Sequence, residues 1–232
     1  MTLARPTILI LTTRTGGGHL NLAQSLKSIL EPHYDVDIVN PQPGLVDDAW
    51  YSMVIRHLPL YLEWQYVLTD NALAALCIQQ TQALLSRKQI LELLDRYRPQ
   101  LVIATHALLS YATSQAIRRS RKRIPLVFQL TDLGRLHMTW FSEKQAGAYL
   151  APTREIAAQA LERGIDSSRL HLTGRPVRRQ FLEASPQERS HTLTALGFDP
   201  ATFTVFLQGG ADGSASIDRV IASLLNMDVR VQ

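Results

Sequence analysis

The chain has 232 residues, of which 46% are apolar and 19% charged, enough apolar material for a buried core and the composition of a folded protein rather than a tail. Its longest apolar runs fall well short of the roughly 18 residues that cross a bilayer, and TILIL near the start is too short for a signal-peptide core. The net charge of +4 is unevenly spread, since residues 111–190 carry 14 Lys and Arg against 7 Asp and Glu, an excess that suits phosphate but does not choose between lipid and nucleic acid. Short β-rich runs then alternate with helical patterns along the chain, the signature of a parallel sheet covered by helices.

The first strand, Thr7–Leu11, leads into Gly16, Gly17, Gly18 and His19 at the start of a helix marked by Leu22, Ala23, Leu26, Ile29 and Leu30 and stopped by Pro32. Glycines there let the backbone turn tightly and approach an anion at the helix start. The dinucleotide fingerprint fails at Asn21, and the P-loop lacks its Gly-Lys-Ser/Thr ending. A ligand-free turn is the alternative reading, against which His19 counts: at a strand's carboxyl end and a helix's first turn it can stay neutral and accept a proton.

After the strand Val36–Val39, five of the sixteen aromatic residues fall within residues 50–66: Trp50, Tyr51, Tyr61, Trp64 and Tyr66. They suit either a lipid interface or a packed helical excursion, and Pro59 argues against one continuous membrane helix. Cys77, the single cysteine, allows no internal disulfide; in the run ALAALC it reads as a small buried thiol in a reducing, cytosolic setting. A helix with Ile90, Leu91, Leu94 and Tyr97 ends before Pro99.

The strand Leu101–Thr105 delivers His106, which either lines the same cleft as His19 or caps the next element. That element ends in Arg118, Arg119, Arg121, Lys122 and Arg123, a solvated helix end or a phosphate-docking patch. No zinc spacing and no aromatic RNA-binding signature accompany it, so nucleic acid is not an expected partner. The strand Leu126–Leu130 leads to Thr131 and Asp132, then Gly134, His137, Trp140 and Phe141. Asp132 can orient an imidazole, take a proton itself, or cap the loop. No metal-ligand spacing appears anywhere.

The strands Ala148–Ala151 and Leu170–Thr173 flank a helix with Ile156, Ala157, Ala160 and Leu161 that stops at Gly164, and TGRPV at Thr173–Val177 precedes a predicted helix at Arg178–Glu183. The polar SPQER at Ser185–Arg189 reads as a linker. Beyond it TFTVFLQGGADGSASIDRVIASLL again reads as strand, glycine turn and helix, with Gly209, Gly210 and Gly213 able to hold a phosphate, and a further strand at Val229–Val231. Residues 1–184 are thus expected to form one α/β domain, 185–200 a linker, and 201–232 the truncated start of a second.

Four motifs in this order, TGGGH at Thr15–His19, TDL with its trailing His and Trp-Phe at Thr131–Phe141, GRPV with a later Phe at Gly174–Phe181, and LQGGADGSASIDRVIASL at Leu207–Leu224, resemble the monogalactosyldiacylglycerol synthase and processive diacylglycerol glucosyltransferase family. The resemblance runs over nearly the whole chain and departs from the pattern where Gly-Gly-Ala replaces three glycines. It implies a GT-B glycosyltransferase whose amino-terminal Rossmann-like domain binds diacylglycerol and whose second domain, only begun here, binds a UDP-sugar.

By the same resemblance, galactose or glucose moves to diacylglycerol with inversion in glycolipid biosynthesis. His19 is implied as the base, with Asp132 orienting it or taking the proton itself. Gly16–Gly18, Trp140 and His106 are implied on the acceptor side, and Gly209, Gly210 and Gly213 at the diphosphate. Neither cofactor nor metal is implied. The aromatic residues at 50–66 and the basic run at 118–123 are implied as a monotopic contact with anionic lipid, placing the protein peripherally on a cytoplasmic membrane face. Two alternatives stand beside this reading: a GT-B transferase acting on a peptidoglycan lipid precursor, and a truncated, non-catalytic lipid-surface module.

Overall fold

A computed structural model describes residues 5–13, 17–41, 59–182, 185–208, 217–228 and 230–232. Its sheet is built from β1 (Thr7–Leu11), β2 (Asp35–Val39), β3 (Leu101–Ala104), β4 (Leu126–Gln129), β5 (Ala148–Ala151) and β6 (Leu170–Leu172), all parallel in the order β2-β1-β3-β4-β5-β6. Alternate residues of β1 face opposite ways. Ile8 and Ile10 meet Leu22, Ala23 and Leu26 of α1 (Gly17–Leu30). Leu9 and Leu11 share the other core with Ile90 and Leu94 of α3 (Ala72–Tyr97) and Leu109, Ala112 and Ala116 of α4 (Ala107–Ser120). With helices on both faces, the central strands β1 and β3 are nearly continuous apolar runs, whereas the edge strands keep polar residues, Asp35 and Asp37 in β2 and an exposed His171 in β6. The expected Rossmann-like α/β architecture is therefore present.

Local chemistry sets the element ends. Asn71 caps α3 by accepting from the Ala74 amide at 3.0 Å, and α3 ends at Arg98, whose left-handed φ of 44° turns the chain into Pro99. Thr153 caps α5 (Arg154–Glu162), and Gly164, at φ +86°, lets the Ile165 amide reach the Ala160 carbonyl at 3.0 Å and close that helix. The remaining helices are α2 (Pro59–Thr69), α6 (Pro186–Ala195) and α7 (Ile217–Leu225).

Several expectations need correction. Cys77 is exposed, because α3 buries Ala75, Gln79, Ala83, Ser86, Ile90 and Leu94, and Cys77 lies around the helix from that stripe. Ile29 and Leu161 likewise stay half exposed at 51% and 47%. Within the predicted helix at Arg178–Glu183 the described residues form a single 3-10 turn, Arg179–Phe181, whose apolar residues Phe181 and Leu182 stay largely exposed and so lend a longer helix little packing energy. The segment read as a linker contains α6, nucleated by a capping box in which the Ser185 hydroxyl accepts from the Glu188 amide and the Glu188 carboxylate accepts from the Ser185 amide. Of the expected strand pairing beyond it, a parallel bridge joins Phe203 to Val231. Gly16, Trp50, Tyr51, Gly209, Gly210, Gly213 and Val229 lie outside the described residues.

Candidate active site

The strand order reverses direction between β1 and β3, and in open α/β sheets ligands bind at the carboxyl ends of the strands at such a switch point. Three threonine-bearing turns leave the sheet at this end, with Thr12, Thr105 and Thr131 all buried. His19, on the first turn of α1, leans across them. Its Nδ1 lies 2.9 Å from the Thr105 carbonyl oxygen and 3.0 Å from Thr131 Oγ1. A carbonyl oxygen can only accept, so Nδ1 carries the hydrogen and Nε2 is left with its lone pair. Burial lowers the His19 pKa below 6.5, opposed by the Thr105 carbonyl and the Asp132 charge and assisted by Arg175. The ring is therefore neutral at pH 7, with its basic nitrogen defined.

His106 takes the capping role and also touches His19. It caps α4, its Nδ1 accepting from the Leu108 amide at 3.2 Å, and its ring meets His19 edge-on with centroids 4.4 Å apart. Burial and the neighbouring His19 push its pKa down to about 3. An unfolded histidine takes up its proton near 6.5, so between about 6.5 and about 3 the unfolded chain binds the extra proton. Stability is then full above about 6.5 and declines as the pH falls below it. His106→Gln, which can still accept from the Leu108 amide, is expected to flatten part of that decline in denaturant melts between pH 7 and 4. An equally steep decline in the variant would assign it to other groups.

Asp132 stands beside this pair but is held by another partner. Its Oδ2 accepts from the Trp140 indole nitrogen at 2.8 Å, and Trp140 is 1% exposed. Asp132 thus acts on His19 through charge, while Thr105 and Thr131 make the hydrogen bonds that aim the ring. Composition did not reveal this grip; the available signal was a threonine one or two residues after each of β1, β3 and β4 once the strands are aligned. Arg175, in the loop after β6, faces His19 as a cation. At Gly18 an added Cβ would meet nothing within 4 Å, so the helix start opens onto free space.

A clamp unforeseen from sequence fixes the loop that carries Asp132 and Trp140. Tyr66 donates its hydroxyl to the Arg135 carbonyl at 2.6 Å, His137 Nε2 lies 3.1 Å from Thr69 Oγ1, and Asp70 accepts from the Met138 amide at 2.8 Å while pairing with Arg135. The end of α2 is therefore tied to the site. The opposite side of α2 is bare, with Tyr61 and Trp64 at 53% and 69% exposure, and Val67, Leu68 and Leu73 are exposed beside them.

The basic run sits elsewhere. Helix α4 is capped by His106, so after its fourteen residues its end lies about 20 Å away, at the amino ends of the strands. Two of its five cations are engaged within the fold: Arg118 pairs at 2.6 Å with Glu143, whose side chain is 4% exposed, and Lys122 pairs with Asp95 at 2.5 Å. Among the described residues no group of three or more His, Cys, Asp or Glu converges as a metal site, and no helix is long and apolar enough to cross a membrane.

The architecture is shared with solved structures of other proteins. The chain superposes on Anabaena HepE in complex with UDP and glucose with a TM-score of 0.51 at 16% identity, covering 98% of this chain and 60% of that one. It superposes equally on the UDP-GlcNAc 2-epimerase of Neisseria meningitidis bound to UDP-GlcNAc, with a TM-score of 0.51 at 13% identity over 94% and 61% of the two chains. At such identities the likeness defines the fold, the Rossmann-like sheet expected of a GT-B enzyme.

Sequence narrows it further: residues 40–177 match the monogalactosyldiacylglycerol (MGDG) synthase family, and the chain belongs to that family. It is 27% identical to a probable chloroplastic monogalactosyldiacylglycerol synthase of Glycine max over 94% of this chain and 43% of that protein, and 26% identical to the synthase of Spinacia oleracea over 94% and 44%. The chain thus spans under half the length of these relatives. Asp132, Trp140 and the GRPV turn fall inside the matched residues, and His19 precedes them.

Proposed function

We propose that this chain forms the acceptor side of a glycosyltransferase that moves galactose or glucose from a UDP-sugar to the free hydroxyl of diacylglycerol, with inversion at the anomeric carbon. The observation that carries the reading is the state of His19. A neutral imidazole with Nδ1–H engaged by Thr105 presents Nε2 at the carboxyl end of the sheet, beside the open space at Gly18. In the proposed step Nε2 takes the acceptor's hydroxyl proton as its oxygen bonds to the anomeric carbon, and the bond from that carbon to the diphosphate breaks to release UDP. Asp132, charged and facing His19, stabilises the imidazolium that forms. Gly209, Gly210 and Gly213 are proposed to cradle the diphosphate, and the step uses no metal or cofactor.

The test is transfer of radiolabelled hexose from UDP-galactose and from UDP-glucose to diacylglycerol in mixed micelles, with the lipid products resolved by chromatography. Labelled monohexosyldiacylglycerol is expected. Label appearing on a peptidoglycan lipid precursor instead would replace the acceptor in this reading.

The acceptor is a bilayer lipid, and we place the protein peripherally on a membrane surface with the bare side of α2 as the principal contact. Burying a large apolar side chain contributes about 1.5–3 kcal/mol, so Trp64→Ser is expected to weaken sedimentation with anionic liposomes about tenfold or more. Charge reversal of Arg119, Arg121 and Arg123, which leaves the Arg118 and Lys122 ion pairs intact, is the comparison. A larger loss from that variant would move the contact to the opposite end of the sheet.

A further inference from the structure

Both oxygens that meet His19 Nδ1 reach it from the sheet, yet they are chemically unequal. The Thr105 carbonyl can only accept, whereas the Thr131 hydroxyl can accept or donate. If Thr131 donated, Nδ1 would have to be bare, Nε2 would carry the hydrogen, and the Thr105 carbonyl would face a lone pair at 2.9 Å. That arrangement would leave a buried acceptor unpaired and point an N–H at the acceptor hydroxyl, where a base is required. The arrangement that satisfies both oxygens has Nδ1–H shared between them.

We infer that Thr131 is a positioning residue for the proposed base. Its hydroxyl oxygen, acting as the second acceptor for the His19 Nδ1–H, holds the ring in the tautomer that exposes Nε2 and steadies the imidazolium formed during transfer. The inference rests on the reading of His19 as base. Thr131 suits the task because it is 7% exposed and lies two residues beyond the end of β4, after the buried Leu130, so its oxygen is placed by the edge of the sheet. The charged and titratable groups that also face His19 are Asp132 from the same loop, His106 from the start of α4 and Arg175 from the loop after β6. His106 stays neutral in the working pH range, so Asp132 and Arg175 are the fixed charges against which Thr131 acts.

Thr131→Val keeps the shape and removes the oxygen; Thr131→Ser keeps the oxygen and removes the methyl. The first readout is the nitrogen spectrum of the histidine rings in the full chain, which needs neither sugar nor lipid. The wild type and Thr131→Ser are expected to show His19 with a protonated Nδ1 and a bare Nε2, and Thr131→Val to show the Nε2–H form rising and the His19 titration moving to lower pH. The second readout is transfer: Thr131→Val is expected to lose roughly tenfold in kcat, the scale of a hydrogen bond to a charged group, with the acid limb displaced downward and KM little changed, and Thr131→Ser to recover most of the rate.

A bare Nδ1 in the wild-type spectrum would overturn the inference, as would a titration indifferent to Thr131→Val or a serine variant as impaired as the valine one. If the valine variant does not fold, the wild-type spectrum and the serine variant still decide. Full transfer activity in His19→Gln would instead remove the base assignment itself, while leaving the tautomer result standing.

Discussion

His19→Gln is expected to lower kcat for hexose transfer by about 100- to 10,000-fold, the range that general acid–base catalysis supplies, while KM for both substrates changes little. Glutamine can still offer an amide N–H toward the Thr105 carbonyl, so the helix start and its contacts persist. What disappears is the basic Nε2. An interaction made only as the proton moves affects kcat and kcat/KM alike and leaves ground-state binding alone. The wild-type profile should show an acid limb with its midpoint below 6.5, because burial disfavours the imidazolium, with Arg175 adding to that and the Thr105 carbonyl and Asp132 working against it. In His19→Gln that limb should vanish. A loss of only a few fold, with the limb retained, would transfer the role of base to Asp132.

The second large effect is on stability. Trp140 is 1% exposed and packs in the core that includes Leu109, Leu136 and Phe141. Trp140→Ala is expected to cost about 3–5 kcal/mol, the usual range for emptying a buried aromatic site. For a chain of this size that lowers Tm by about 6–20 °C. Trp140→Phe separates packing from polarity: most of the ring remains, but Asp132 loses the indole N–H that holds it at 2.8 Å. Thermal melts should therefore place the phenylalanine variant well above the alanine one, while its transfer rate falls because Asp132 no longer keeps its position beside His19. A Tm for Trp140→Ala within about two degrees of the wild type would show that the ring contributes little to that core.

Much of this molecule was legible from local pattern. The apolar runs of β1 and β5 were placed at their observed bounds, the other four strands of the sheet to within a residue at either end, and Pro32, Pro99 and Gly164 stop their helices as read. Buried parallel strands and proline stops are written in contiguous residues, so a short window suffices. Where the window failed, the missing information was which face of an element finds a partner. Cys77, Ile29 and Leu161 look as apolar as their neighbours, yet only their angular position about α3, α1 and α5 decided that they face water. Arg178–Glu183 had a helical composition, yet its described apolar residues Phe181 and Leu182 stay exposed, and SPQER was polar yet held a capping box.

The site divides along the same line. His19, His106 and Asp132 could be nominated individually, because a polar residue directly after a strand or at a helix start is visible in the chain itself. Their division of labour could not. The Thr105 carbonyl belongs to the backbone and has no sequence signature, and it reaches His19 only because β3 lies beside β1 in the parallel sheet, with β4 next to it. The clamp from Tyr66, Thr69 and Asp70 onto residues 135–138 joins segments nearly seventy positions apart. Sequence alone determined the parallel α/β class, the strand ends and the residues able to do chemistry. Tertiary structure decided which nitrogen of His19 is free, which partner holds Asp132, and that the basic run stands at the far end of the sheet, because hydrogen-bond partners and distances arise only when separate strands are set side by side.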